Sequence, residues 1–465
     1  MSSMAAVNAV RSAATLGISF VVARSVDSAQ FGLVSFAIPL MTFIMIITDL
    51  GLISAIVRHP EIDRRTAGAA FVFFVVVGMA GGAALFASSR FFETSFGLPG
   101  LTSVLKGFGF VAAFTIWTSA PRAFLERALR YNAIAGVELF SLGLAVAVVT
   151  WCIFENVGIY SIIYYQLCLN LSRFLLFSFL GQTYFTPNFA FRILKPLLHV
   201  AGWVLMSNLV IYLARNIDNI LVGRYLGAAS LGIYGLAYQF MTLPLVLITW
   251  PVSGVLLSSL RKIGSDDAKK NAVILAVFCC TSAITFPMMA FLIFGADFPI
   301  QRIYSSHWDG LYFAVAVLAP AGALQSITSY CGTVLVDRGL VRTNMALSLG
   351  VAGSMVASFV FSVQFGLAVM MITYSVTSLV ANLLNIVVIS KWCGIGLCEI
   401  GRSLLPGLVA AGLGLAFTKF YFGNTAADIR HWLPGVAVYA AVVLVVLWSF
   451  RAKIAGHIAV LGSDI

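Results

Sequence analysis

The chain has 465 residues, of which 61% are hydrophobic and only 10% charged, with a mean hydropathy of +1.00. Soluble domains carry about 25% charged residues, so this composition excludes a soluble enzyme or a nucleic-acid module and leaves a polytopic membrane protein. The formal charge of +11 sits in turns such as RHPEIDRR (Arg58–Arg65) and LRKIGSDDAKK (Leu260–Lys270), which fix topology and touch anionic headgroups.

Apolar runs of roughly twenty residues predict about fourteen spans. They fall at 4–24, 31–57, 67–89, 104–121, 134–154, 159–180, 199–223, 231–257, 271–294, 311–335, 343–363, 366–390, 405–421 and 433–450. The first is read as a retained span, because Arg11 interrupts its apolar run and no small-residue cleavage site follows. It carries Asn8, Ser12, Thr15 and Ser19 at helical spacing, with Arg11 on the same face.

The second span places Ser35, Thr42 and Asp49 on one face; Asp49 either lines an interior or caps the helix at the cytoplasmic interface. The fourth ends in SAPRAFLERALRYN (Ser119–Asn132), predicted to lie along the inner surface as a basic amphipathic piece. Glu138, just inside the fifth span, either pairs with a basic residue of a neighbouring helix or titrates during transport. The sixth holds Gln166, Asn170 and Arg173 at i, i+4 and i+7.

The seventh span and the start of the eighth form the most informative stretch, WVLMSNLVIYLARNIDNILVGRYLGAASLGIYGLAYQF (Trp203–Phe240). Asn208, Tyr212, Arg215 and Asn219 occupy one helical stripe, beside Asn216 and Asp218. A charge at membrane depth costs at least ~2.5–3.5 kcal/mol, so such residues face a bundle interior or a watery cavity. Pro39, Pro244 and Pro251 inside the second and eighth spans predict kinks. Further polar faces, Gln239, Thr242, Thr249 and Ser253 in the eighth span and Tyr374, Ser378, Asn382 and Asn385 in the twelfth, either bind sugar or hold helices together.

The opening stripe recurs without a gap two hundred positions later. Asn8 aligns with Asn208, Arg24 with Arg224, Gly32 with Gly232, Ala37 with Ala237, and Met41-Thr42 with Met241-Thr242. This internal repeat predicts an all-α bundle of two six-helix lobes, 1–190 and 191–392, followed by two additional helices and a short tail, 393–465. Of the 28 Lys and Arg, eighteen fall on the turns of one side, seven on the other and three within spans, so both termini are predicted to be cytoplasmic.

No chemistry of bond making is encoded. The seven cysteines are scattered among apolar runs, and Cys393 and Cys398 lack histidine partners, so neither a metal nor another cofactor is expected. There is no phosphate loop, no HExxH and no acid pair beside a histidine, which predicts a non-enzyme driven by a gradient rather than by ATP. The intramembrane charges Arg11, Arg173 and Arg215 stand against Asp49, Glu138 and Asp218. One reading pairs each arginine with an acid as interhelical glue, and Arg215–Asp218 at i, i+3 permits that. The other offers an excess of guanidinium donors to a phosphate.

At ARSVDSAQFGLVSFA (Ala23–Ala37), DLGLISAIVR (Asp49–Arg58), PRAFLERALRYN (Pro121–Asn132) and ARNIDNILVGRYLGAASLGIYGLAYQF (Ala214–Phe240), the chain resembles the bacterial polysaccharide and O-antigen flippases. Their larger superfamily also holds peptidoglycan-precursor flippases and multidrug/toxin exporters. The resemblance implies two lobes around a cavity that opens alternately to each side of the bacterial inner membrane. The implied cargo is an undecaprenyl-diphosphate-linked oligosaccharide, bound by Arg11, Arg173 and Arg215 and lined by Asn8, Thr15, Asn170, Asn208, Tyr212 and Asn219. Polysaccharide polymerase and export proteins are the implied partners, with membrane lipid around the bundle. An ion-coupled multidrug exporter of the same fold and a non-transporting scaffold are the competing readings.

Overall fold

The structure is a computed structural model that describes residues 2–49, 52–53, 56, 63–186, 188–194, 209, 212, 216–304, 306–423 and 429–451. Among them every regular element is helical. The long helices are α1 (Ser2–Ser25), α2 (Ser28–Asp49), α3 (Arg64–Phe96), α4 (Leu101–Arg127), α5 (Tyr131–Phe154), α6 (Tyr160–Gly181), α7 (Gly227–Pro244), α8 (Trp250–Ile263) and α9 (Asp267–Phe294). After the short α10 (Asp297–Ile303) come α11 (Leu311–Asp337), α12 (Val341–Ser362), α13 (Leu367–Cys393), α14 (Leu397–Gly423) and α15 (Ile429–Ser449). Twelve stretches among the described residues are long and apolar enough to cross a membrane. Each coincides with one of the expected spans. Of the other two, 4–24 corresponds to α1 and 199–223 lies largely outside the described residues.

The chain divides into two compact units, Met1–Gly232 and Ile233–Ile465. In the first, α3 and α4 run together with main chains almost touching. A Cβ on Gly82 would lie 2.5 Å from the Gly109 carbonyl oxygen, and one on Gly109 would lie 2.8 Å from that of Gly82. Small residues permit such an approach where lipid offers no hydrophobic drive. Trp117 closes the seam by donating its Nε1–H to the Val75 carbonyl at 2.9 Å.

The second close approach in this unit joins the two copies of the repeat. A Cβ on Gly32 would lie 1.9 Å from the Ala228 carbonyl oxygen, and one on Gly232 would lie 1.8 Å from that of Ser28. The contact is reciprocal in the register found in the sequence, since Ser28 aligns with Ala228 and Gly32 with Gly232.

One expectation is corrected. The run after Ser119 does not form a separate surface piece, because α4 continues unbroken through Pro121 to Arg127. Ala120, Ala123, Phe124 and Leu125 are buried, so the apolar face of the span persists where the charged residues begin.

In the second unit α9 is the central packing element. α14 lies so close to it that a Cβ on Gly407 would meet the Ser282 carbonyl at 2.4 Å. From α15, Tyr439 donates to the Pro287 carbonyl at 2.5 Å and Trp432 to that of Gly295 at 2.9 Å. The two helices beyond the repeat are therefore knitted into this unit.

Two of the polar groups expected on spans eight and twelve, Thr249 and Asn382, bridge helices. Thr249 donates to the Ser326 carbonyl at 2.9 Å, and Thr328 donates to Asn382 Oδ1 at 2.5 Å. The kink expected from Pro244 and Pro251 is a π-helical turn, Leu245–Thr249, in which the Trp250 N–H bonds the Leu245 carbonyl five residues back. Insertion of one residue into the helical ladder accommodates the missing proline donor.

Candidate functional site: an arginine cluster on one buried carboxylate

Four helices of the first unit converge on Glu138. A short turn joins α4 to α5, with the Arg130 N–H bonded to the Leu125 carbonyl at 3.0 Å and Leu129 in the left-handed region at φ 55°. This hairpin sets the last turns of α4 against the first turns of α5. Arg122 and Glu138 then face each other although sixteen residues separate them. α1 packs on α5 and brings Arg11, while α6 brings Arg173 from its middle.

The Glu138 side chain is 2% exposed, and three guanidinium groups surround it. Arg173 Nη2 donates to Oε2 at 2.5 Å, Arg122 Nη1 donates to Oε1 at 3.3 Å, and Arg11 Nη1 stands 3.8 Å from Oε2. Arg122 also gives its Nε–H to Glu126 at 2.9 Å. The cluster thus holds three arginines against two carboxylates, one positive charge in excess. Exposure follows the same order as contact length: the Arg173 side chain is 10% exposed, Arg122 30% and Arg11 34%.

Burying Glu138 without partners would cost several kcal/mol, and the arginines remove that penalty. The converse does not hold. A guanidinium carries about five N–H donors in a planar fork, and Arg173 uses only one prong on Glu138. Its Nε is buried and has no hydrogen-bond partner among the described residues. The arrangement is rich in donors and poor in acceptors, which suits an oxyanion with several oxygens.

The expected site residues divide into three groups. Arg11, Arg173 and Glu138 come together, and Thr15 lies beside them. Thr15 gives its hydroxyl hydrogen to the Arg11 carbonyl at 2.9 Å, so Tyr165 is the donor in their 3.4 Å contact. Asn170 is buried one turn from Arg173 and turns its amide N–H to the Gln166 carbonyl at 2.9 Å.

A second group makes contacts of its own. Tyr212 donates to the Pro39 carbonyl at 2.8 Å, and Asn219 donates to Asp218 Oδ1 through its backbone N–H at 2.8 Å and its amide at 3.3 Å. The third group is not described: Asn208 and Arg215 lie outside the described residues, and only the backbone is described for Asn8 and Asp49. Arg122 was missed, because it falls in the basic run Ser119–Asn132 that reads as a piece lying along the inner surface. The signal available was its i, i+4 spacing to Glu126 on α4.

A family model described as "Polysaccharide biosynthesis protein" matches residues 21–313. Among curated proteins, the teichuronic acid biosynthesis protein TuaB of Bacillus subtilis is 24% identical over 377 residues, covering 80% of this chain and 78% of that protein. The lipopolysaccharide biosynthesis protein WzxC of Escherichia coli is 23% identical over 325 residues, 69% of this chain and 66% of that one. The succinoglycan biosynthesis transport protein ExoT of Rhizobium meliloti is 21% identical over 327 residues, covering 69% and 65%. Among solved structures, the lipid II flippase MurJ in an inward closed conformation matches with a TM-score of 0.74 at 14% identity. That match covers 97% of this chain and 99% of the other. The fold is therefore shared with that flippase.

Proposed function

Because this chain belongs to the polysaccharide biosynthesis protein family, we propose that it turns an undecaprenyl-diphosphate-linked oligosaccharide from the cytoplasmic to the periplasmic leaflet of a bacterial inner membrane by alternating access. The single observation that carries this reading is the cluster of Arg11, Arg122 and Arg173 around Glu138, with a positive excess inside an apolar bundle. A diphosphate head requires charge-assisted donors where water is scarce, and guanidinium supplies them in matched geometry. The polyprenyl tail stays in lipid. The names of TuaB, WzxC and ExoT support a surface or exported polysaccharide as the end product.

On this reading the chain is a transporter that makes no covalent change in its cargo and works beside polysaccharide polymerase and export proteins. Its lobes are 1–190 and 191–392, with 393–465 added. An exporter of organic cations fits less well, since a cationic cargo needs acidic, aromatic walls and this cluster carries more arginine than glutamate.

Deleting the gene and extracting lipids tests the reading. Accumulation of a polyprenyl-diphosphate oligosaccharide in the deletion strain is the expected result. Unchanged lipids together with altered dye resistance would replace the flippase by the exporter.

Topology gives a second expected result. Reporter fusions after Lys270 should read cytoplasmic and fusions at Gly97 and Trp308 periplasmic, as the bias of basic residues requires. A periplasmic signal at Lys270 would reverse the proposed direction of transport.

A further inference from the structure

The arginine cluster contains its own anion, and that anion is badly matched to it. Glu138 offers two oxygens to three guanidiniums. Oε2 is divided between Arg173 at 2.5 Å and Arg11 at 3.8 Å, and Oε1 goes to Arg122 at 3.3 Å. None of the three arginines is held by the two-pronged contact that guanidinium makes with a carboxylate or phosphate. Arg173, a residue only 8% exposed, leaves its Nε without a partner among the described residues. Arg11 has no hydrogen-bond acceptor for its guanidinium among the described residues beyond the distant Glu138 oxygen. It is also the most exposed of the three.

We propose that Glu138, held in place by Arg173, is a resident counter-ion that occupies the place of the cargo's phosphate on Arg11 and Arg122 and competes with it. This inference rests on reading the cluster as the phosphate site and adds how that site is regulated. The buried carboxylate keeps three arginines folded into an apolar bundle while no cargo is present. An arriving diphosphate takes Arg11 first, because that contact is the longest and most exposed, then Arg122, which keeps Glu126 as a second partner. Arg173 stays on Glu138 and acts as a positioning residue. Return of the two outer arginines to Glu138 favours release on the far side, so affinity is held down in exchange for turnover.

The competition has a signature that a merely structural carboxylate lacks. A structural Glu138, once neutralised, would leave a damaged site that binds anions no better. A competing Glu138, once neutralised, frees the arginines for the ligand.

The test uses the full chain in detergent, taken as the monodisperse fraction, with inorganic pyrophosphate as probe and sulfate at equal ionic strength as control. Pyrophosphate is expected to bind Glu138→Gln at least tenfold tighter than wild type and to raise its melting temperature by more, while Arg11→Ala binds at least tenfold weaker. The neutral pair Glu138→Gln with Arg173→Gln removes the buried ion pair without changing net charge. It should keep the gain, and it carries the test if the single variant fails to fold.

Transport of lipid-linked cargo in cells should fall in Glu138→Gln despite tighter binding. If Arg11→Ala weakens binding and neither glutamine variant strengthens it, the counter-ion inference is overturned and the phosphate site stands. If no variant changes binding, or wild type binds no pyrophosphate beyond the sulfate control, the phosphate reading falls with it.

Discussion

Gly32→Ala is expected to strip the protein from the membrane, although it adds one methyl group. The new Cβ would lie 1.9 Å from the Ala228 carbonyl oxygen and 2.7 Å from its carbon. Both obstacles are main chain, so no rotamer change can relieve them. α2 and the first turn of α7 must separate along the whole crossing, and the contacts on either side are lost with it. Overpacking a filled interior costs about 1–3 kcal/mol, and a main-chain obstacle places this substitution at or above the upper end.

Gly232→Ala meets the Ser28 carbonyl at 1.8 Å and should behave alike. Gly136→Ala on α5, where a Cβ meets nothing within 4 Å, is the control and should leave level and melting unchanged. Membrane abundance and thermal unfolding in detergent decide the matter. A wild-type melting curve for Gly32→Ala would show that this crossing is not packed as described.

That reciprocal contact also shows what a sequence of this kind makes legible. An ungapped repeat aligns Gly32 with Gly232, and the two glycines meet each other's helix in the same register. The apolar runs were equally plain, since twenty residues without charge have few fates other than a span. The site was only half legible. Arg11 and Arg173 stood out because an arginine inside an apolar run is costly, and Glu138 because an acid there needs a partner. That a single acid serves three arginines from three other helices is set by interhelical packing, which no spacing along one helix encodes.

Arg122 was hidden for a local reason. Pro121 and the charges that follow resemble a helix stop, whereas the buried face of Ala120, Ala123, Phe124 and Leu125 carries α4 onward. Pro121 itself is buried within the helix. The sequence features of a break were present, and the apolar face beneath them won.

The charge cluster sets an order of effects that separates structure from cargo. Breaking one buried ion pair typically costs ~3–5 kcal/mol, and Glu138→Ala removes the one acid that Arg11, Arg122 and Arg173 share among the described residues. It should therefore be the most destabilising substitution of the four, at the top of that range. Arg173→Ala follows, because it leaves a 2% exposed carboxylate with the longer contacts to Arg122 and Arg11. Arg122→Ala costs less, and Arg11→Ala, at 3.8 Å and one third exposed, should cost no more than a surface pair, ~0–1 kcal/mol.

The double variant Glu138→Ala with Arg173→Ala should be less damaged than the sum of the two single variants, since each alone strands a buried charge. Export follows a different order. Arg11→Ala should reach normal membrane levels and melt like wild type, since its guanidinium contributes little to the fold, yet lose polysaccharide export if, as proposed, it meets the cargo. Arg11→Lys keeps the charge without the fork and should restore part of it. Melting curves, membrane levels and export are read on the same strains. If Glu138→Ala proves no less stable than Arg11→Ala, the carboxylate is not the centre of the cluster. If Arg11→Ala exports normally at normal level, the guanidinium that lies most open to the cargo does not bind it.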